Sequence, residues 1–288
     1  MPPELSYATH DPVPWVTITL VVITCVSSIV GFRDRAYEQR FIFCPENILR
    51  DKQGYRLITA AFLHANWGHL ALNMFSLYAF GKLIELNYGI APLLGIYFAS
   101  ILGGNLLSLF LHRHHIYQAY GASGGVCGII YAYIFLFPGS GILVFMIPFA
   151  IPAWLYAIGY LLLSFYGVKK AADNIGHDAH IGGAIIGLLT TTAIYPQIVQ
   201  RSPVLYAVVM LVSLGAFLYL LKNPLLLPLS SFASEGAPPR RARPSLKRKE
   251  KTPDINAILD KISKSGMQSL TKAEHEALLQ ASKKSRPE

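Results

Sequence analysis

The 288-residue chain is too apolar for an ordinary soluble domain, because 53% of its residues are hydrophobic, only 14% are charged and its mean hydropathy is +0.41. Its net charge of +9 does not indicate nucleic-acid binding, since 13 of the 25 Lys and Arg residues follow Asn223, in a tail that also carries seven acidic residues. Three cysteines without CxxC spacing indicate neither a disulfide framework nor a structural zinc site.

Seven apolar runs are long enough to predict a protein that crosses a lipid bilayer repeatedly. They cover residues 14–32, 67–88, 90–112, 122–137, 141–166, 178–196 and 203–222. The first 13 residues lack Lys and Arg, so we expect no cleaved signal peptide and a first span that is retained. The fourth run is short and begins in a Gly-rich turn, which predicts a helix enclosed by other helices.

Two segments outside these runs have patterns of their own. Residues 33–56 mix six basic and four acidic residues with apolar ones, which predicts a loop that folds against the membrane. Beyond the seventh run, residues 223–253 are rich in Pro, Ser and charge and are predicted to be a linker. In residues 254–288, helical periodicity, a possible stop at Gly266 and a capping-box pair, Thr271 and Glu274, predict a small helical hairpin.

Polar side chains interrupt the apolar runs in three places, which is costly unless they face a protein interior or water. The clusters are His64-Ala-Asn-Trp-Gly-His69 with Asn73, Gly121-Ala-Ser123-Gly124, and His177-Asp-Ala-His180 followed by Gly183 and Gly187. Together they contain what acyl transfer requires: a hydroxyl nucleophile, an imidazole to take its proton, and donors for an oxyanion. None is diagnostic alone, because a Ser at a helix start is most often a cap. Their co-occurrence at the edges of three spans favours catalysis.

Over residues 14 to 196 these clusters resemble the motifs of rhomboid intramembrane proteases. The matching positions are Tyr55, Arg56, Thr59, His64, His69, Asn73, Gly81, Glu85, Gly89, Gly121, Ser123, Gly124, Ala179, His180, Gly183 and Gly187. The resemblance implies an all-α polytopic membrane protein with a six-helix bundle. To this we add a seventh transmembrane helix and a small helical tail, cytosolic or periplasmic. The expected parts are a protease core at 1–200, the additional span at 201–222, the linker at 223–253 and the hairpin at 254–288.

The resemblance also implies a role for each matching residue. Ser123 is expected to attack the peptide carbonyl with His180 as its base, while the Ser123 N–H, His69 and Asn73 line the oxyanion hole. Structural support is expected from Arg56, Glu85, Gly121, Gly124, Gly183 and Gly187. No cofactor and no metal is implied. The residues themselves agree with the roles implied for Ser123 and His180, because a strip of Gly183 and Gly187 lets the sixth span approach the fourth closely.

Several residues allow other interpretations. Asp178 lies two residues from His180 and so faces a different side of a helix, which favours an interfacial cap over a catalytic acid. His177 is a weaker candidate for the base than His180. Cys127 stands four residues after Ser123, where family members often carry an aromatic that packs on the catalytic His, so the usual support for that ring is absent from this position. The cluster His112, His114 and His115 is interpreted as a helix end rather than a metal site.

The polar clusters bear on three classes of function. The favoured one is an intramembrane serine endopeptidase that cuts transmembrane protein substrates, located as a multi-pass protein in a bacterial inner membrane. A catalytically silent relative that binds client membrane proteins would typically lack the nucleophile or the base, and both are present here. A zinc site built on the histidines lacks an HExxH motif and a carboxylate cluster. The lipid bilayer is the expected environment, and the partner of the tail is unknown. The charge distribution and the resemblance disagree about which side of the membrane the tail occupies.

Overall fold

The computed structural model describes residues 13–114, 117–143, 150–170, 176–222 and 255–265, together with residues 270, 271, 274 and 278. The chain divides into two compact units, Met1–Glu235 and Gly236–Glu288. The predicted linker at 223–253 lies outside the described residues.

The described part of the first unit is almost entirely helical, which confirms the all-α prediction. Its helices are α1 (Trp15–Arg33), α2 (Arg35–Phe41), α3 (Pro45–Arg50), α4 (Arg56–Thr59), α5 (Trp67–Tyr88), α6 (Ile90–His112), α7 (Ser123–Leu136), α8 (Ala153–Lys170), α9 (His177–Ile194), α10 (Gln197–Arg201) and α11 (Pro203–Lys222). Among the described residues, three segments are long and apolar enough to cross a membrane: α1, α6 and residues Pro203–Leu220 of α11. Shorter apolar helices lie at Ser123–Leu136, Ala153–Tyr166 and Asp178–Ile194.

The centre of the bundle is α7, which packs against α6 and α9. Every residue of α7 from Gly124 to Leu136 is buried. The prediction of an enclosed fourth span is therefore confirmed. With 14 residues α7 is about 21 Å long at about 1.5 Å per residue, so it is shorter than the bilayer core. Its side chains contact neighbouring helices instead of lipid.

Glu85 joins the first helix to the fifth. Its carboxylate accepts hydrogen bonds from the backbone N–H of Val16 at 2.9 Å and of Thr17 at 2.7 Å, and from the Thr17 hydroxyl at 2.6 Å. These amides belong to the first turn of α1, where backbone donors have no partner within the helix. Glu85 therefore caps α1 from the far end of α5.

The segment between α1 and α5 is organised around a buried Arg56. Its Nη1 donates to the carbonyl of Gln39 at 2.9 Å and to that of Ile42 at 2.7 Å, and its Nε donates to the Gln53 side chain at 2.6 Å. Nearby, Phe43 pairs with Ala119 through two backbone hydrogen bonds, which ties this segment to the chain just before α7.

The predicted fifth span, residues 141–166, begins too early. Its start is a pair of antiparallel strands, β1 (Gly141–Leu143) and β2 (Ala150–Pro152), with Ile142 opposite Ile151, and the helix begins only at Ala153. Hydropathy alone does not distinguish a short apolar strand from a helix. Gly141 and Pro152, both poor helix formers, were the signal available in the sequence.

The second unit contains α12 (Ile255–Ser265) and the predicted capping pair. The Thr271 N–H donates to the Glu274 carboxylate at 2.8 Å, and the Glu274 N–H donates to the Thr271 hydroxyl at 3.4 Å, which confirms the capping box. Lys261 of α12 reaches the same carboxylate at 2.8 Å. The neighbouring ammonium and hydrogen bonds from Thr271 lower the pKa of Glu274 to about 2.

Candidate active site

One cavity brings together residues from all three polar clusters. Its volume is about 530 Å³, and it opens between α5, α7, α8 and α9. The lining residues are His69, Leu72, Asn73, Phe75, Ser76, Phe80, Ser123, Val126, Cys127, Ile130, Ile142, Tyr156, Tyr160 and His180. The four residues expected to act in catalysis, Ser123, His180, His69 and Asn73, therefore share one space although three different helices carry them.

Ser123 is the first residue of α7, and a glycine turn presents it to the cavity. Gly121 has φ 134, a conformation that residues with a side chain rarely adopt. A Cβ at this position would lie 2.8 Å from the His69 ring and 3.6 Å from the Ser123 hydroxyl. The turn thus needs glycine both for its backbone and for the closeness of His69 to Ser123.

His64 holds the same turn from outside the cavity. Its Nε2 accepts a hydrogen bond from the Ala122 N–H at 3.4 Å, and its Nδ1 lies 3.0 Å from the Ser28 hydroxyl, which donates to the carbonyl of Phe62. Both contacts are satisfied when the neutral ring carries its proton on Nδ1. Burial, together with the nearby His69, lowers the pKa of His64 to about 3. The resemblance matched His64 without giving it this role.

Two helices approach each other closely beside Ser123. A Cβ at Gly183 in α9 would overlap the backbone of Gly124 in α7, and one at Gly187 would overlap Gly128. The prediction that the small-residue strip of α9 packs on α7 is confirmed. This contact carries His180, one turn before Gly183, to the wall of the cavity that Ser123 lines.

The His180 ring is supported by a residue that the sequence analysis missed. The Tyr160 hydroxyl of α8 lies 3.1 Å from His180 Nδ1 and 3.1 Å from the Cys127 sulfur. The two rings also stack, with centroids 6.0 Å apart and planes at 28°. The aromatic partner that Cys127 does not provide from α7 is therefore supplied from α8. The sequence shows Tyr160 only as one of several tyrosines in an apolar run.

His69 and Asn73 stand on one face of α5, as their spacing predicts. His69 Nε2 is buried and has no hydrogen-bond partner within the part of the chain that the structure describes. The Asn73 amide donates to the His69 backbone carbonyl at 2.9 Å. In this arrangement the His69 ring is available to a ligand in the cavity, while the Asn73 amide already has a backbone acceptor.

Asp178 is directed toward another cluster and not toward His180. Its carboxylate lies 3.4 Å from His112 Nε2 and accepts a hydrogen bond from Tyr117 at 3.4 Å. His112 in turn stacks on Tyr117, with centroids 3.7 Å apart. The expected interfacial cap at Asp178 is a buried contact between α6 and α9. His112 is the last residue of α6, as expected for a helix end, and its side chain is buried. His115 and the side chain of His177 lie outside the described residues.

The described residues contain no group of three His, Cys, Asp or Glu side chains placed to hold a metal ion. Arg56 and Glu85 do not line the cavity. Arg56 donates to the Ile42 carbonyl and Glu85 accepts from the Thr17 N–H, so both hold parts of the helical bundle together.

Comparison with known proteins agrees with the motifs. Residues 51–197 match the Rhomboid domain family. The chain is 35% identical over 179 residues to RHOMBOID-like protein 12, mitochondrial, of Arabidopsis thaliana, covering 54% of this chain and 52% of that protein. It is 31% identical over 155 residues to Rhomboid protein 1, mitochondrial, of Saccharomyces cerevisiae, covering 52% and 44%. It is 28% identical over 179 residues to Rhomboid protease GluP of Bacillus subtilis, covering 60% and 33%.

The chain thus spans about half, or less, of the length of these relatives. The tail matches a different family. Residues 243–284 match DUF6576, a family of unknown function.

Proposed function

The chain belongs to the rhomboid family, and on that premise we propose that it is an intramembrane serine endopeptidase, with Ser123 as nucleophile and His180 as base. The observation that carries the proposal is the meeting of Ser123, His180 and His69 in one cavity inside a helical bundle. A Ser at a helix start alone would be a cap, but a cap does not need two imidazoles that line the same cavity.

In the first step the Ser123 Oγ attacks the carbonyl carbon of the scissile peptide bond, and His180 Nε2 takes the hydroxyl proton. When the tetrahedral intermediate collapses, the imidazolium gives that proton to the leaving amine, and an acyl ester remains on Ser123. Water then attacks the ester by the same route in reverse order. Each step is balanced by one proton that moves through His180.

Negative charge on the intermediate's oxygen is stabilised by donors around Ser123. The Ser123 N–H lies in the first turn of α7, where backbone donors are unpaired and the helix dipole is positive. His69 Nε2, buried and near the Gly121 turn, supplies a second donor. Asn73 becomes a third donor when its amide leaves the His69 carbonyl and donates to the oxyanion instead.

The substrates under this proposal are membrane proteins cut in or near a transmembrane segment. The cavity is lined mostly by apolar side chains with a polar end at Ser123, which suits an unwound apolar segment that needs water only at the cleaved bond. For this multi-pass membrane protein we propose residues 1–200 as the protease core, 201–222 as an additional span, 223–253 as a linker and 254–288 as a tail hairpin.

We further place the protein in a bacterial inner membrane. The similarity to a rhomboid protease of the bacterium Bacillus subtilis supports the bacterial part of this assignment, whereas other relatives carry the word mitochondrial in their names. Membrane fractionation of the source cells tests the assignment: we expect the chain in the bacterial inner-membrane fraction, and recovery in a mitochondrial membrane fraction would overturn it.

The test is cleavage of a fusion protein with one transmembrane segment by the purified full chain in detergent and in liposomes. Wild type is compared with Ser123→Ala and His180→Ala, and labelling by a fluorophosphonate probe is measured in parallel. We expect cleavage and labelling by wild type alone. Cleavage that survives Ser123→Ala sinks the serine mechanism. Retention of the substrate by a wild type that neither cuts nor labels identifies a silent client-binding protein instead.

A further inference from the structure

The Tyr160 hydroxyl occupies a position that catalytic histidines usually need filled. A base that accepts a proton at Nε2 must carry its own proton on Nδ1, and that N–H needs an acceptor to hold the ring in one tautomer and one plane. Here the atom beside Nδ1 is the Tyr160 oxygen, at 3.1 Å, and the phenol ring stacks along the imidazole.

We propose that Tyr160 is the positioning residue of the His180 base and that Cys127 is the acceptor for its hydroxyl proton. The proposal rests on the function proposed above. In this arrangement His180 Nδ1–H donates to the Tyr160 oxygen, and the Tyr160 O–H donates to the Cys127 sulfur, which lies 3.1 Å away. The ring is then left with Nε2 as its acceptor nitrogen.

The small side chain of Cys127 makes this arrangement possible. Cys127 is buried in α7, one turn after Ser123, and it borders the cavity together with Tyr160. A thiol occupies little volume there and can accept a hydrogen bond weakly. An aromatic side chain at position 127 would compete with Tyr160 for the space beside His180. The family pattern places the aromatic support for the base on α7. In this chain the support lies on α8 instead.

This location has a consequence for α8. The same helix that walls the cavity through Tyr156 and Tyr160 also orients the base. A displacement of α8 that breaks the contact of Tyr160 with Nδ1 would leave His180 free to take the wrong tautomer, so α8 must be in place for turnover.

Tyr160→Phe removes the hydroxyl and keeps the ring, so it tests the hydrogen bond apart from the packing. We expect kcat to fall about 10-fold with KM unchanged, a loss similar to that from removing other partners that orient a functional imidazole. Tyr166→Phe is the matched control, because Tyr166 lies on the same helix with 59% of its surface exposed and does not line the cavity. It should keep wild-type kcat. Equal kcat in Tyr160→Phe and wild type overturns the proposal.

A second measurement does not depend on proteolysis. The ¹⁵N resonances of the His180 ring, identified by their absence from His180→Gln, report the tautomer in the Ser123→Ala background. We expect Nδ1 to carry the proton when Tyr160 is present and a mixture of tautomers in Tyr160→Phe. A ring protonated on Nε2, or one that Tyr160→Phe does not change, overturns the proposal. If wild type shows no Ser123-dependent cleavage, the protease function is refuted. The tautomer of the His180 ring would still decide the role of Tyr160.

Discussion

Gly183 of α9 faces the backbone of Gly124 in α7 so closely that a single methyl group on Gly183 would overlap it. The atoms in the way belong to the main chain, so no change of side-chain rotamer relieves the overlap. The pairing of Gly187 with Gly128, one turn further along, repeats the same contact. The helices that carry Ser123 and His180 can approach this closely because no side chains stand between them.

Gly183→Ala should therefore separate α7 from α9. We expect a loss of unfolding free energy of about 1–3 kcal/mol, the usual cost of an overpacked contact, and a lower rate of cleavage. Thermal unfolding in detergent measures the first and turnover the second. Gly215→Ala in α11 is the control, since a Cβ there meets nothing within 4 Å, and it should unfold like wild type. Equal stability of the two variants would contradict the glycine contact.

Glu85→Gln should weaken the attachment of α1. The amide retains a single acceptor oxygen where the carboxylate has two, each paired with a donor of the first turn of α1. We expect a loss of about 1–3 kcal/mol in unfolding free energy, because the contact is charge-assisted and buried. The exposed Glu46, paired with Arg50 at 2.6 Å, offers a matched Glu→Gln change that should cost less than about 1 kcal/mol. The idea fails if both variants unfold alike.

His64 predicts how stability depends on pH. Because burial lowers its folded-state pKa to about 3, the unfolded chain binds a proton below about 6.5 that the folded chain binds only near 3. The stabilising effect of the neutral ring is thus complete above pH 6.5 and is lost as the pH falls toward 3. His64→Gln should unfold with a shallower pH dependence over that window than wild type does. Parallel curves for wild type and His64→Gln would rule this out.

Asp178→Asn separates a structural carboxylate from a catalytic one. Its contacts lie with His112 and Tyr117, so we expect a loss of about 1–3 kcal/mol in stability from the weakened buried contact. Under the proposed function, the kcat of the folded protein, normalised to probe-reactive sites, should stay close to that of wild type. A large fall in kcat at unchanged melting temperature would instead assign Asp178 to catalysis.

Much of the fold follows from the sequence because glycines and polar residues mark the ends of its apolar runs. Asn66 caps α5 by accepting from the His69 N–H, and Gly89, at φ 94, separates α5 from α6. The convergence of Ser123 and His180 was predictable for a similar reason, since the spacing of Gly183 and Gly187 in the sequence indicates a close helix contact.

Tyr160 and the strand pair before α8 could not be predicted in the same way. A tyrosine in an apolar run has the same local pattern whether it packs against lipid or hydrogen-bonds to His180, because the partner lies 20 residues away in sequence. Likewise β1 and β2 are apolar throughout, and hydropathy records apolarity without recording the backbone conformation. Both depend on tertiary contacts that leave no periodic signal.

Because α1 is attached near both ends of α5, its length is matched to the distance along α5 between Glu85 and the site. Its first turn is tied to Glu85, near the end of α5, and Ser28 is tied to His64, just before α5 begins. His69 and Glu85 are 16 residues apart (85 − 69), about 24 Å along a helix at about 1.5 Å per residue. One inserted residue between them would shift His69 by about 1.5 Å and turn it by about 100°. The lengths of α1 and α5 are thus coupled, and we expect proteins that keep both attachments to change them only together.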